Sequence, residues 1–289
     1  MTATQEAERS PTIDVGRPYR LIQARHGWFL VNPNDFYLGQ AIVRYGECCE
    51  LEVAFLTQLK LRPGRLVEVG ANAGLLTLPL AKALAVRGET LDVFEPQPFL
   101  FQNLCANLAL NGIANVRAWP FACGEEVGVV RFPAPDYATP GNFGAISMEQ
   151  RPLTPEGATK PMLSAPCVRL DDFLGGVPVA LVKIDVEGFE LKVLKGAQSL
   201  LSKSRPLLYV ENDRVSQSRA LIEYLWSLGY RLWWHTPALF NPNNYRAETE
   251  NIYGNVASFN MVGFPKEFDV SVQGASEILD AGVHPLAKD

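Results

Sequence analysis

The nine-residue stretch 66–74, Leu-Val-Glu-Val-Gly-Ala-Asn-Ala-Gly, is the sequence feature that most constrains the fold. The short apolar run before Gly70 predicts a buried strand, and the apolar residues that follow Gly74 recur with helical spacing. A strand, a tight glycine turn and a helix form the unit with which open α/β sheets bind nucleotide-like ligands. The stretch therefore predicts an α/β fold with a ligand at the end of this strand.

Glu68 lies inside the predicted buried strand, and this position needs an explanation. A buried carboxylate loses its hydration, which is costly unless a cationic or hydrogen-bonding group meets it. The ammonium group of a ligand would meet it. The structural alternative, an ion pair between Glu68 and a lysine or arginine of the chain, stays open at this point.

The glycine spacing argues against a phosphate-binding loop. In the dinucleotide-binding pattern the second glycine lets the backbone approach a pyrophosphate, and Asn72 occupies that position here. The sequence also lacks the Gly-Lys-Ser/Thr element of triphosphate-binding loops. These observations disfavour an NAD-dependent oxidoreductase. They favour an adenosine ligand that carries an amino acid in place of phosphates, and S-adenosylmethionine (SAM) is the obvious one.

A second acidic residue, Glu95, ends the next predicted strand and lies 21 residues beyond Gly74. Sheets of this kind place an acid near this position, where it accepts hydrogen bonds from the ribose hydroxyls. The alternative is a cap for the helix that follows, with Pro96 in its first turn. The two roles are compatible, so Glu95 is predicted to bind ribose.

Length and composition limit the class of protein. With 289 residues, of which 47% are hydrophobic and 20% charged, the chain can form one large α/β core with appendages. A formal net charge of −5 argues against a nucleic-acid partner. The sequence contains neither an apolar run of membrane-spanning length nor the apolar core of a signal peptide. The five cysteines are odd in number and lack metal or redox spacing, so we expect reduced thiols in a cytoplasmic protein.

Three sequence blocks together resemble one family. They are Glu-Val-Gly-Ala-Asn-Ala-Gly at 68–74, Phe-Glu-Pro at 94–96 and Lys-Ile-Asp-Val-Glu-Gly-Phe-Glu at 183–190. With these blocks the chain resembles the FkbM family of SAM-dependent methyltransferases. The resemblance implies the class I methyltransferase fold, a Rossmann-like α/β fold with a seven-stranded, mostly parallel sheet whose last strand is antiparallel. It also implies O-methylation of a hydroxyl group on a sugar, glycan or polyketide-like small molecule.

The resemblance also implies site residues. Four residues of the first block would line the methionine end of SAM: Glu68, Gly70, Asn72 and Gly74. Glu95 would bind the ribose, and Ala122 would lie near the adenine. Asp185, which ends the fourth predicted strand of the sheet, would face the methyl group.

On this basis we divide the chain into four parts. We expect a disordered lead over 1–18, a cap with a helix over 19–64, the SAM-binding methyltransferase domain over 65–265 and a partly helical tail over 266–289. The proline-rich residues 133–163 are too long for a plain connection, so we expect a lid-like insertion there.

Three local expectations concern individual elements. After Gly46 a helix should turn one apolar face toward the core, made of Leu51, Ala54, Phe55 and Leu59. The helix that begins near Gly74 contains Pro79, which should kink it. The third strand of the sheet is expected over 116–122.

Two residues are candidates for the base that a hydroxyl acceptor needs. Asp185 is predicted at the carboxyl end of a strand, where α/β folds bind ligands, and its structural alternative is a helix cap. His235 follows a predicted strand that should finish at the same edge, and its alternative is a surface imidazole. The sequence leaves open which of the two is the base.

The acceptor site is predicted more loosely. Amide side chains can bond hydroxyls without charge, and aromatic rings can stack on sugar faces. The candidates for acceptor contacts are Asn142, Trp233, Asn241 and Asn244. An asparagine-rich turn of purely structural role is the alternative for the last two.

The predicted partner is thus a small-molecule or glycan acceptor, with no nucleic acid, no membrane and no metal, and a homo-oligomer is possible. The alternative function is a catalytically silent module that binds SAM or a nucleotide through a methyltransferase fold.

Overall fold

The computed structural model describes residues 12–14, 18–146 and 161–287. Its centre is a seven-stranded sheet. From one edge to the other the strands are β12 (Tyr230–His235), β13 (Asn260–Pro265), β11 (Leu207–Glu211), β10 (Val179–Ile184), β4 (Arg65–Val69), β5 (Leu91–Phe94) and β6 (Val116–Trp119). β13 is antiparallel to both of its neighbours, and the other pairings are parallel. This topology confirms the predicted class I methyltransferase fold, including its antiparallel last strand.

Both faces of the sheet are covered, which explains why its strands are apolar at successive residues. The first face packs against α1 (Leu38–Tyr45), α2 (Glu50–Gln58), α3 (Thr77–Ala85), α4 (Pro98–Leu110), β2 (Arg20–Ala24) and β3 (Gly27–Val31). The second face packs against α5 (Leu170–Phe173), α6 (Glu190–Lys195), α7 (Gln198–Ser204) and α8 (Val215–Ser227). In the described part of the chain, no helix combines the length and apolar character needed to cross a bilayer.

Two small sheets flank the centre. The first adds β1 (Thr12–Asp14) to the pair β2–β3, and the second joins β7 (Ala122–Cys123), β9 (Met162–Val168) and β8 (Gly128–Pro133). β1 lies within the lead that was expected to be disordered, and it forms because β2 offers it an edge for antiparallel pairing. Residues 1–11 and 15–17 lie outside the described residues.

Several local predictions were wrong. α3 begins at Thr77, three residues after Gly74, so Pro79 lies in the first helical turn. The N–H groups of that turn have no intrahelical partner, so proline fits there without a kink. The expected third strand is shorter, because β6 ends at Trp119 and Ala122–Cys123 pairs with β9 in another sheet.

The tail is not helical in its described residues. The backbone N–H of Ile278 donates to Leu232 and that of Trp234 donates to Ser276, so the tail follows the open edge of β12. An edge strand has unpaired backbone groups, and these hold residues 276–278 beside β12.

The inward face of α2 differs in part from the predicted one, since Phe55 and Leu59 pack against the core as expected but Leu51 does not. Leu51 is 39% exposed, whereas Glu52, Val53 and Leu56 are buried. The helix is therefore rotated so that an acidic side chain points toward the sheet.

The proline-rich insertion is described in part. Residues 134–146 lie beside the carboxyl ends of the strands, where the backbone N–H of Phe36 donates to Gly141 and that of Gly141 donates to Asn34. Residues 147–160, which are 14 of the 31 residues of the expected lid, lie outside the described residues.

Candidate functional site

A cavity of about 190 Å³ lies where β4, β5 and β10 end side by side. Six of the predicted site residues line it: Glu68, Gly70, Asn72, Glu95, Asn142 and Asp185. A wider cavity of about 470 Å³ adjoins it. The two cavities share Tyr37, Asn142, Glu187, Glu211, Leu239 and Ser258.

The glycine turn after β4 lets two strand ends approach closely. Gly70 has φ +86°, and a Cβ at this position would lie 1.8 Å from the carbonyl oxygen of Asp185. Gly74 has φ +82° and packs against Leu104 without lining the cavity. Asn72 adopts φ +51°, and its Oδ1 accepts a hydrogen bond from the N–H of Ala73. Gly70 and Gly74 are therefore needed for the backbone geometry of this turn.

Glu68 is 1% exposed and has two different environments at its two oxygens. Oε2 accepts a hydrogen bond of 2.7 Å from the Thr77 hydroxyl. Oε1 lies 3.6 Å from Lys183 Nζ and has no hydrogen-bond partner. The predicted structural alternative, pairing with a lysine, is thus present. The unpartnered oxygen still leaves a buried acceptor at the cavity, which is suited to an ammonium group of a ligand.

Lys183 is a central site residue that the sequence reasoning did not assign. Its Nζ lies 3.1 Å from Asp185 Oδ2. Burial lowers the pKa of this ammonium, but the carboxylates of Asp185, Glu68 and Glu52 outweigh burial and raise it above its ordinary value. Lys183 therefore stays charged. The signal for it was the Lys-Ile-Asp order at the end of β10, which places lysine and aspartate two residues apart on one face.

Glu95 fastens the turn to the start of the next helix. Its Oε2 accepts from the N–H of Asn72 and its Oε1 from the N–H of Gln97, both at 2.8 Å. Burial raises the pKa of Glu95 to about 7, although these two backbone hydrogen bonds lower it. Each carboxylate oxygen can accept a second hydrogen bond, so the side chain can both hold the turn and bind a diol.

The two candidate bases lie in different places. Asp185 faces the cavity, where Lys183 pairs with it. His235 does not line the cavity. Its Nδ1 lies 2.8 Å from the Tyr209 hydroxyl and its ring stacks on Phe55 at 4.4 Å. Burial lowers the pKa of His235, which favours the neutral imidazole.

Glu52 of α2 is a second site residue that sequence reasoning missed. Its side chain lines the cavity, although the residue is only 7% exposed. Burial raises the pKa of Glu52, whereas Lys183 and hydrogen bonds with Ser258 and Tyr209 lower it. No local pattern singled out this glutamate, because its partners come from distant strands.

Only one of the four predicted acceptor contacts, Asn142, lines the cavity. Trp233 is 3% exposed and packs edge-on against Phe264 in the core. Asn241 donates to Glu47, and Asn244 donates to two backbone carbonyls of its own loop. Ala122, the predicted adenine neighbour, is buried in β7 and does not line the cavity either.

Three carboxylates form one acidic wall of the wider cavity: Glu187, Glu211 and Asp213. One oxygen from each lies within 4.8 Å of the others, a spacing that could hold a cation. Arg214 already provides positive charge there, since its guanidinium lies 2.6 Å from Glu187 Oε2. The wall repels anionic molecules.

Comparison with known proteins adds a family match. A model of the methyltransferase FkbM domain family matches residues 68–232, more than half of the chain. Methyltransferase 1 of Beauveria bassiana (strain ARSEF 2860) is 30% identical over 144 residues, which cover 45% of this chain and 57% of the relative. The 31-O-demethyl-FK506 methyltransferase FkbM of Streptomyces tacrolimicus is 31% identical over 164 residues, covering 48% and 62%. The chain thus spans less than two thirds of the length of these relatives.

Among solved structures, methyltransferase FkbM from Methylobacillus flagellatus KT superposes on the chain with a TM-score of 0.46. The sequence identity is 18%, and the superposition covers 70% of this chain and 43% of that chain.

Proposed function

Because this chain belongs to the FkbM methyltransferase family, we propose that it transfers a methyl group from SAM to a hydroxyl group of a sugar, glycan or polyketide-like small molecule. The observation that carries the proposal is the buried Glu68 Oε1 at the cavity, which has no hydrogen-bond partner and lies next to the turn that Glu95 holds. An ammonium donor and a ribose diol satisfy these two groups, and SAM contains both.

The cofactor proposal assigns a role to each strand end. Glu68 and Asp185 accept hydrogen bonds from the methionine ammonium, and Glu95 accepts from the ribose hydroxyls. Gly70 keeps β4 and β10 close enough for one ligand to touch both. When bound, SAM supplies a methyl group on a positively charged sulfur, and the residues around it orient an incoming oxygen.

The acceptor proposal rests on the wider cavity. Its acidic wall disfavours phosphorylated or nucleic-acid acceptors, and Ser258, Asn142 and Tyr37 offer uncharged groups for hydroxyls. The name of the Streptomyces relative describes a methyltransferase for 31-O-demethyl-FK506, which supports oxygen as the methylated atom. A neutral polyhydroxylated acceptor fits these observations.

Calorimetry with SAM, S-adenosylhomocysteine (SAH) and NAD tests the cofactor. We expect SAM and SAH to bind with dissociation constants on the order of micromolar. Binding of NAD without SAM would overturn the proposal.

Labelling with methyl-tritiated SAM in a cell extract, followed by identification of the product, tests the acceptor. We expect the label on a hydroxyl oxygen of a small molecule or glycan. Label in nucleic acid or on protein lysine would contradict the acceptor class. SAM binding without any labelled product would favour the catalytically silent module instead.

A further inference from the structure

We propose that Cys48 and Cys49 form a reversible oxidation site at the wall of the smaller cavity. A peroxide converts their two thiols into a disulfide there, and a ligand bound in the cavity shields them. All five cysteines of the chain are free in this structure. The oxidation goes beyond the proposed function, and only the shielding by a SAM-like ligand rests on it.

The two sulfur atoms lie in direct contact. Cys48 Sγ and Cys49 Sγ are 3.1 Å apart and share a hydrogen bond. Successive side chains of an extended chain point to opposite faces, but Cys49 adopts φ +54° just before α2, and this turn brings both thiols to one side. A disulfide bond is ~2.0 Å long, so the sulfur atoms need to approach by only about 1 Å for the bond to form.

The two thiols differ in access. Cys49 lines the cavity of about 190 Å³, whereas Cys48 is only 9% exposed and lines neither cavity. Hydrogen peroxide is small and neutral, so it can enter the cavity. The acidic wall of the adjoining cavity disfavours anionic oxidants such as glutathione disulfide. Cys49 is therefore the thiol that meets the oxidant, and Cys48 is the thiol that closes the disulfide.

The charges around the pair control how fast it reacts. The thiolate is the form that attacks a peroxide. The hydrogen bond with Cys48, burial and the Glu52 carboxylate raise the pKa of Cys49, while the Lys183 ammonium lowers it. Cys49 is therefore mostly a thiol at neutral pH, and the pair reacts faster in alkaline solution.

The reaction is balanced with the peroxide as the oxidant. The Cys49 sulfur, once it has lost its proton, attacks one peroxide oxygen, the O–O bond breaks, and the other oxygen leaves as water after taking a proton. This step forms a sulfenic acid on Cys49. The Cys48 sulfur then attacks the Cys49 sulfur, the S–O bond breaks, and the oxygen leaves as a second water with the Cys48 proton. Two thiols are oxidised to one disulfide, and one hydrogen peroxide is reduced to two waters.

The spacing of the two residues makes the oxidation reversible. Neighbouring Cα atoms are ~3.8 Å apart, closer than the ~4.4–6.8 Å that is usual for cysteines joined by a disulfide. A disulfide between neighbours is therefore strained, and strained disulfides are readily reduced by thiols. We expect the site to return to two thiols once the peroxide is removed and a reductant is present.

Peptide mass spectrometry of the full chain tests the pair. The protein is treated with hydrogen peroxide at about pH 8.5, where more of the thiol is ionised, and the remaining thiols are blocked with N-ethylmaleimide. We expect the peptide with both cysteines to lose two hydrogens and to carry no maleimide, and dithiothreitol to restore labelling of both sulfurs. A sulfinic acid on Cys49 beside a free Cys48 thiol would overturn the inference, and so would a disulfide to another cysteine or a pair that stays reduced.

Three variants test the roles of the two thiols. Cys48→Ser removes the second thiol, so oxidation of Cys49 should stop at the sulfenic acid, which dimedone traps. Cys49→Ser leaves only the buried thiol, which should stay unmodified. Cys105→Ser is the matched control, because Cys105 is partly exposed and lines neither cavity, and this variant should form the disulfide as the wild type does.

Circular dichroism checks that each variant folds. If Cys48→Ser does not fold, Cys48→Ala replaces it, with the same sulfenic acid expected on Cys49. Oxidation of Cys48 in Cys49→Ser as fast as in the wild type would overturn the assigned roles.

A ligand in the cavity should slow the reaction, because it covers Cys49. With SAH at about ten times its dissociation constant only about one protein in eleven is free, so disulfide formation should slow about 10-fold. An unchanged rate while calorimetry shows that SAH is bound would contradict the shielding. If calorimetry shows no SAH binding, the proposed function is overturned instead, and the peptide analysis still decides whether the thiol pair forms.

Discussion

Glu95 shows how one residue can serve both the fold and a ligand. Its two oxygens already accept hydrogen bonds from the N–H groups of Asn72 and Gln97, so the structural role that the sequence analysis held compatible with ribose binding is present. Each Glu95 oxygen accepts one backbone hydrogen bond and keeps a further lone pair, which a ribose diol could use.

Glu95→Ala should weaken SAM binding by about 1–3 kcal/mol, because hydrogen bonds to a charged group are lost. Calorimetry measures the affinity, and a thermal melt confirms that the variant is folded. Glu125→Ala is the control, since this partly exposed carboxylate pairs with Lys195 and lines neither cavity. Unchanged affinity in a folded Glu95→Ala variant would mean that Glu95 only holds the turn.

The pKa of Glu95 adds a pH dependence. Ribose hydroxyls donate to the charged carboxylate, and the free protein has this group half-protonated near its pKa of about 7. SAM and SAH affinity should therefore both rise as pH increases through about 7, and calorimetry across this range measures it. Glu95→Gln should remove the dependence; its persistence in that variant would assign it to another group.

At the scale of elements, the sheet was predictable and the helix faces were less so. Strands β4 and β10 are mostly apolar runs that are followed directly by glycine or aspartate, and these local signals predicted both their position and their ligand edge. The rotation of α2 was not predictable, because Glu52 is turned inward by Lys183 and Tyr209, which lie on strands far along the chain. The prediction of acceptor contacts was wrong for a similar reason. Asn241 donates a hydrogen bond to Glu47, and Asn244 donates one to the backbone carbonyl of Asn241, so both amides are engaged within the protein.

The contacts of residues 134–146 indicate that this segment covers one side of the cavity. The Tyr137 ring stacks on Phe99 at 4.2 Å, and its hydroxyl donates to Gln97 Oε1. The Gln97 side chain donates in turn to the carbonyl of Phe143, next to the cavity residue Asn142. Tyr137 therefore fastens the segment to α4.

Tyr137→Ala should speed SAM dissociation about 10-fold, because it removes one aromatic contact and one hydrogen bond that hold the segment in place. Tyr137→Phe is the matched variant, which keeps the ring and loses only the hydroxyl, so its effect should be smaller. Stopped-flow displacement of SAM by SAH measures both rates. Dissociation at the wild-type rate in Tyr137→Ala would show that the segment does not retain the ligand.

At the scale of the whole molecule, the site concentrates buried acids at one edge of the sheet. Burial raises the pKa of Glu52, Glu68, Glu95, Glu190 and Glu211. In the unfolded chain these groups titrate near their ordinary values, about 4.3. Between pH 5 and 8, roughly, the folded protein therefore binds more protons than the unfolded chain. Its stability is highest below the unfolded pKa and is lost as pH rises through the folded values.

The free energy of unfolding of the ligand-free protein should accordingly fall as pH rises from about 5 to about 8, by about 1.4 kcal/mol per pH unit for each proton that only the folded state retains. His235 acts in the opposite direction, because its lowered pKa leaves the unfolded chain with the extra proton, but it is one group against several acids. Urea denaturation across this range measures the slope.

Glu211→Gln is the informative variant. Glu211 Oε2 has no hydrogen-bond partner and lies among other carboxylates, so the neutral glutamine should stabilise the protein near pH 8 and change its stability little near pH 5. Stability that rises over the same pH range would show that these acids are already charged and compensated in the folded protein.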